Sequence, residues 1–241
     1  MIRRDLPMMR RIFDDEARYL DRFGLLLLVT TIAVVTLALI DLGEARDDLA
    51  SALGQFTVSV FVGGTLLLAL QASGVRRRYR VVVNVGIGLG VLAALGVVLS
   101  QWIGGGEARG IGAISLIWTV LSLLAPILVI RRLLQHRGAD VQTLLGALSA
   151  YLLIALAFTF FYLNLSAFGD PLFGQPEPTT SYVYFSLVTI TTLGYGDLAA
   201  VTPIGRLLAT VEAVIGQVYL VTFVAMIVGL MVQQREARRE E

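Results

Sequence analysis

Thr191-Thr192-Leu193-Gly194-Tyr195-Gly196-Asp197 closes an apolar segment, residues 182–193, that is too short to cross a bilayer. Apolar runs at 141–165 and 204–232 flank it, and each is long enough to span. Glycines at alternate positions let the backbone take conformations that direct successive carbonyls to one side. Irregular backbone at membrane depth is tolerated where it is buried in protein or lines a water-filled cavity. The segment therefore reads as re-entrant: a short helix dips in, and an extended strand returns to the same face.

Composition agrees with a membrane setting. The chain is 56% hydrophobic and 15% charged, and a soluble domain of this size needs a more polar surface. Net charge is +1, which points to no nucleic-acid partner. No cysteine is present, so disulfides and thiolate metal sites are excluded. His136 is the only histidine, which argues against a histidine metal site. All 19 basic residues are arginine, a bias expected of a GC-rich bacterial genome.

Working outward, six stretches qualify as spans: 23–40, 56–71, 81–100, 112–130, 141–165 and 204–232. Arginine placement sets their orientation. Clusters precede the first span and fill the linkers between spans two and three and between four and five. Arg235, Arg238 and Arg239 follow the sixth. Only Arg46, Arg109 and Arg206 fall on the other side. Both termini are thus expected in the cytoplasm of a multi-pass protein of the bacterial inner (plasma) membrane. The expected fold is all-α and transmembrane, with six membrane-spanning helices. Its parts are a cytoplasmic segment 1–22, a four-span domain 23–138, a pore domain 139–234 and a short tail 235–241.

In the pore domain a helix over about 181–191 points its C-terminal end into the membrane. Thr179, Thr180 or Ser181 is available to cap it. The negative end of its dipole would face the membrane centre, where a cation is otherwise unstable. One returning strand per chain cannot surround an ion. Four chains around an axis would stack carbonyl oxygens into rings that replace an ion's hydration shell.

The segment resembles the pore signature of potassium channels, Thr-Val-Gly-Tyr-Gly-Asp, with Leu193 in the valine place. The likeness extends over about residues 142–232. Tyr184-Phe185-Ser186 stands where bacterial relatives carry an aromatic pair and a serine. Val188 stands where some carry a glutamate. Thr202-Pro203-Ile204-Gly205-Arg206 resembles the turn into the inner helix. The resemblance implies a homotetrameric potassium channel with Thr192, Leu193, Gly194, Tyr195 and Gly196 as filter. Potassium, the permeant ion, would bind at Thr192, Leu193, Gly194 and Tyr195. Thr191, Asp197, Tyr184 and Phe185 would support the filter, with Tyr184 donating to Asp197. Gly216 falls at the family's gating hinge. Ala225, Val228 and Val232 are candidates for an apolar gate. No enzyme site and no cofactor are expected.

Six spans with the pore between five and six is the layout of voltage-gated channels. Moving one charge across the field is worth about 2.3 kcal/mol per 100 mV, so a sensor needs several charges. The fourth span has none; Arg131 and Arg132 follow it, and Pro126 should kink it. The N-terminal block is therefore expected to be a scaffold or a ligand- or lipid-responsive module. Gly86, Gly88 and Gly90 would allow close helix packing. Asn84 would be an interhelical contact or reach the interface.

Glu212 is a carboxylate within the sixth span, costly unless satisfied, and a candidate intramembrane modulator. It is expected to bond to the end of the short helix or to the fifth span, with Thr189, Thr191 or Tyr151 as candidate partner, or to tune ions in the cavity. Residues 8–23 carry apolar positions at helical spacing, as in a helix lying on the inner membrane surface. The arginines at 76–80 and 131–132 are topology signals and candidate contacts for anionic lipid. Alternatives to the potassium channel are a weakly selective cation channel, a non-conducting regulatory subunit, and a transporter with filter-like loops. The single, nearly intact filter sequence weighs against the last two.

Overall fold

The computed structural model describes residues 22–39, 60, 62–69, 77–102, 111–135 and 141–240. The segment at 8–21, the loops at 41–55 and 103–110, and Arg76 lie outside the described residues. The described elements are helical, with no hydrogen-bonded β-strand among them; the segment after α6, called the strand below, is single and unpaired. They are α1 (Arg22–Leu39), α2 (62–69), α3 (Arg77–Trp102), α4 (Ile111–Leu134), α5 (Val141–Phe168), α6 (Thr179–Ile190), α7 (Pro203–Val218) and α8 (Ala225–Glu240). A π-helical turn, Tyr219–Val224, joins α7 to α8.

Helices thus occupy the places of spans one, three, four, five and six, and α2 lies inside the second. Two are long and apolar enough to cross a membrane: α5, and the continuous helix Pro203–Gln233. α4 runs through Pro126 and continues past the expected span end, so that Arg131 and Arg132 form its last turn.

α5 is the centre of the packing, with α1, α4 and α6 laid against it. It is apolar on nearly every side because it meets a neighbour on nearly every side. Gly146 lets two helices converge: a Cβ there would lie 2.9 Å from Phe23 of α1 and 3.0 Å from Leu133 of α4. Asn164 of α5 donates to Thr119 of α4, and the Thr119 hydroxyl donates to the Phe160 carbonyl. Between α3 and α4, Gly90 approaches Trp118 and Gly86 approaches Leu121, whereas Gly88 faces open space. Asn84 is exposed.

A smaller core of Tyr162, Leu172, Tyr182, Phe185 and Ala200 seats the loop after α5 against α6. The two membrane-length helices differ in cover. In their most apolar stretches α5 is 61% buried and Pro203–Gln233 only 17%. Leu207, Val211, Val214, Val218, Val221 and Val228 all lie exposed on the latter.

Candidate functional site

The short helix begins at Thr179, two residues earlier than expected. Its cap position is Pro178, which offers no side-chain bond. Ser181 instead donates to Glu177 at 3.0 Å. Ser186 and Phe185 face inward and are buried. Phe185 meets Tyr162 and Phe173 edge-on, each at a centroid distance of 5.2 Å.

At the C-terminal end the helix hands its last carbonyls to the following strand. Thr191 N–H donates to Leu187 O at 3.1 Å and Thr192 N–H to Thr189 O at 3.0 Å. Leu193 N–H reaches Val188 O at 2.9 Å. These bonds satisfy groups that a helix end leaves orphaned and fix the strand's departure.

Beyond this point φ is positive at every second residue: 57° at Thr192, 57° at Gly194 and 80° at Gly196. Glycine takes this region freely. A β-branched threonine does not, and such a residue costs on the order of 1–3 kcal/mol unless its surroundings hold it. Thr192 is held from two sides. Its hydroxyl donates to Thr191 O at 2.7 Å and accepts from Gln217 Nε2 at 3.0 Å.

All of Thr191–Asp197 is exposed in the single chain, Leu193 at 56% and Tyr195 at 66%. Tyr184 holds the outer part of the strand. Its ring stacks on Tyr195 with centroids 6.3 Å apart and planes within 2°. Its hydroxyl lies 2.8 Å from Asp197 Oδ2 and 3.0 Å from Oδ1. That is the contact the sequence suggested.

The inner helix starts in good order. Thr202 caps it by accepting from Gly205 N–H at 3.1 Å, with Pro203 in the first turn. Arg206 Nε donates to Ala200 O at 3.0 Å. Glu212 follows, fully buried, but not on the partners suggested. Thr189, Thr191 and Tyr151 make no hydrogen bond to it; Tyr162 and Ser186 do. The Tyr162 hydroxyl lies 2.6 Å from Oε2, and Ser186 Oγ lies 2.5 Å from Oε1. Ser186 Oγ is also 2.7 Å from the Ala155 carbonyl of α5.

One turn on, Gly216 is buried against Ile190, the last residue of α6. The Ile190 carbonyl accepts from the Tyr151 hydroxyl at 2.9 Å. Three residues past Gly216 the helix widens into its π turn. Tyr219, which opens that turn, donates to Ala147 O at 2.8 Å and stacks on Tyr151 and Phe223. Of the residues suggested for a gate, Ala225, Val228 and Val232 are all exposed on α8.

Sequence reasoning missed Tyr162, Gln217 and the π turn. Gln217 carried a signal: it is a lone carboxamide in an apolar span, next to the suggested hinge glycine.

Residues 147–233 match the model of a family described as an ion channel. The match takes in most of α5, α6, the segment Thr191–Asp197, α7 and the π turn, and runs into α8. It supports an ion channel embedded in a membrane. No curated protein and no solved structure matches the chain.

Proposed function

We propose that the chain is one subunit of a homotetrameric potassium-selective channel, with Thr192–Gly196 as its ion filter. The observation that carries this reading is the alternation of positive φ at Thr192, Gly194 and Gly196 on an uncovered face. Alternating backbone handedness turns successive carbonyls to the same side. Four such strands give stacked oxygen rings that substitute for water around a dehydrated cation. The resident side chains at Leu193 and Tyr195 would then form the wall, with the rings of Tyr195 and Tyr184 wedged between neighbouring subunits.

The poor cover of the inner helix supports assembly. A row of valines and leucines left bare on one chain is covered when subunits pack around an axis and against lipid. α6 directs its C-terminal end at the inner mouth of the filter, the end of a helix dipole that favours cations. Thr191, Asp197, Tyr184 and Phe185 brace the filter. Gly216 with the π turn is the candidate hinge, since π turns cluster at functional sites. Ala225, Val228 and Val232 are the candidate gate. The fourth span carries no arginine before Arg131 and Arg132 in the last turn of α4, so the four-span block serves as a scaffold or responsive module and not as a conventional voltage sensor. The arginine-flanked inner ends are candidate contacts for anionic lipid, and both termini lie in the cytoplasm of a bacterial cell. Ion passage is passive, without cofactor or covalent chemistry.

The test is flux of potassium against sodium from liposomes holding the purified protein, with barium as blocker. Barium-sensitive flux favouring potassium is expected. Comparable sodium flux would replace this reading with a weakly selective cation channel.

A further inference from the structure

Glu212 sits where α5, α6 and α7 meet, and three oxygen–oxygen contacts converge there. Tyr162 Oη lies 2.6 Å from Oε2, Ser186 Oγ lies 2.5 Å from Oε1, and the same Oγ lies 2.7 Å from Ala155 O. Each contact is attractive only with a proton between its two oxygens. The phenol carries one donor hydrogen, the serine hydroxyl one, and the carbonyl none. Two protons cannot fill three contacts. Were Glu212 ionised, the Ser186 proton would serve either Oε1 or Ala155, and the other pair would oppose lone pairs at hydrogen-bond distance. The missing proton has one available source, the carboxyl group itself.

Surroundings point the same way. The side chain is fully buried, and no described residue forms an ion pair with it. Arg206, the nearest arginine in sequence, is engaged with Ala200 O. A buried carboxylate without a counter-charge is strongly disfavoured in a membrane interior. A neutral acid that accepts through one oxygen and donates through the other leaves no group unsatisfied.

We propose that Glu212 is carried as a neutral carboxylic acid donating to Ser186. Tyr162, Glu212, Ser186 and the Ala155 carbonyl then form one chain of hydrogen bonds running in a single direction. The chain ties three helices together. It fixes α6 through Ser186, five residues before Thr191, and Glu212 is thereby a positioning residue for the filter. This last step rests on the filter reading above; the proton assignment does not.

Two measurements on the purified full chain in lipid test it. The infrared difference spectrum between wild type and Glu212→Gln at neutral pH should show the C=O stretch of a protonated carboxyl, shifted in heavy water. A carboxylate band in its place overturns the proposal. The second is a substitution series read by thermal unfolding and by barium-sensitive flux. Glutamine reproduces the neutral acid, its amide N–H donating to Ser186 and its oxygen accepting from Tyr162. Glu212→Gln should stay within about twofold of wild type in flux, with an unshifted melting temperature. Glu212→Leu, similar in size, leaves the Tyr162 hydroxyl without its acceptor and cuts the link to Ser186, which keeps only Ala155 O, and should lose about tenfold or more. Glutamine as damaging as leucine overturns the proposal. The infrared and melting arms hold whether or not ions pass, so absence of flux in every variant counts against the channel reading alone.

Discussion

Gly216 of α7 lies directly on Ile190, the last residue of α6. A Cβ at Gly216 would stand 2.6 Å from Ile190 Cγ1 and 2.7 Å from Ile190 O. That oxygen already accepts from Tyr151, so it cannot retreat without breaking a bond. Gly216→Ala should therefore displace the pore helix just ahead of the filter. A cost of about 1–3 kcal/mol is expected, the usual size for overpacking. Thermal unfolding reads it. If Gly216 is needed only for flexibility, alanine would alter opening while leaving the melting temperature in place.

Gly194 calls for glycine on different grounds. Nothing lies within 4 Å of a Cβ built on it, but its φ is +57°. Gly194→Ala should cost about 1–2 kcal/mol in each subunit through backbone strain alone. Four strained strands in one ring should abolish barium-sensitive flux. Gly64 and Gly88 are also open, but sit in helices with ordinary φ, and alanine there should leave flux unchanged. Equal effects at all three sites would refute a strained, left-handed filter strand.

The alternating backbone of Thr192–Gly196 was legible because much of its information is local. Gly194 and Gly196 admit positive φ without cost, whereas Thr192 also needs its contacts to Thr191 O and Gln217. The Tyr184–Asp197 bond was legible through resemblance, since both residues stand in recognised places near the filter. The partners of Glu212 were not. Residues 141–165 are apolar around the whole circumference of α5, so no pattern says which tyrosine, 151 or 162, faces the inner helix. The π turn was equally hidden, because Tyr219–Val224 contains neither proline nor glycine. Its first residue, Tyr219, is tied to α5 through Ala147 O and Tyr151, contacts that the local sequence does not announce. The six-span layout was read from hydropathy and arginine placement. Among the described residues, two helices have the length and apolarity to cross a membrane, α5 and Pro203–Gln233.

Tyr184 secures the outer end of the strand through its hydroxyl on Asp197 and its ring on Tyr195. Tyr184→Phe removes the first and keeps the second. The filter should then lose its conducting form more readily as potassium is withdrawn. Potassium flux should fall by a few-fold, the scale of one lost hydrogen bond, with selectivity retained. Asp197→Asn keeps an acceptor and should do less. A larger effect from Asp197→Asn would mean that the charge of Asp197, not its bond to Tyr184, sustains the site.

Leu193 is the one departure from the familiar filter sequence, and its backbone and side chain have separate duties. The backbone N–H is tied to Val188 O at 2.9 Å, a bond that any residue can make there. The side chain is 56% exposed in the single chain. If four chains assemble as proposed, the extra methylene over valine would change packing between subunits and leave the backbone carbonyls in place. Leu193→Val should leave the potassium-to-sodium flux ratio within about twofold, as expected when one buried methylene is removed without moving a polar group. Thermal stability of the assembled protein should drop instead, because a methylene-sized gap opens at each subunit contact. A rise of tenfold or more in the ratio, with stability unchanged, would place selectivity in the side chain of Leu193 and make this chain a weakly selective cation channel.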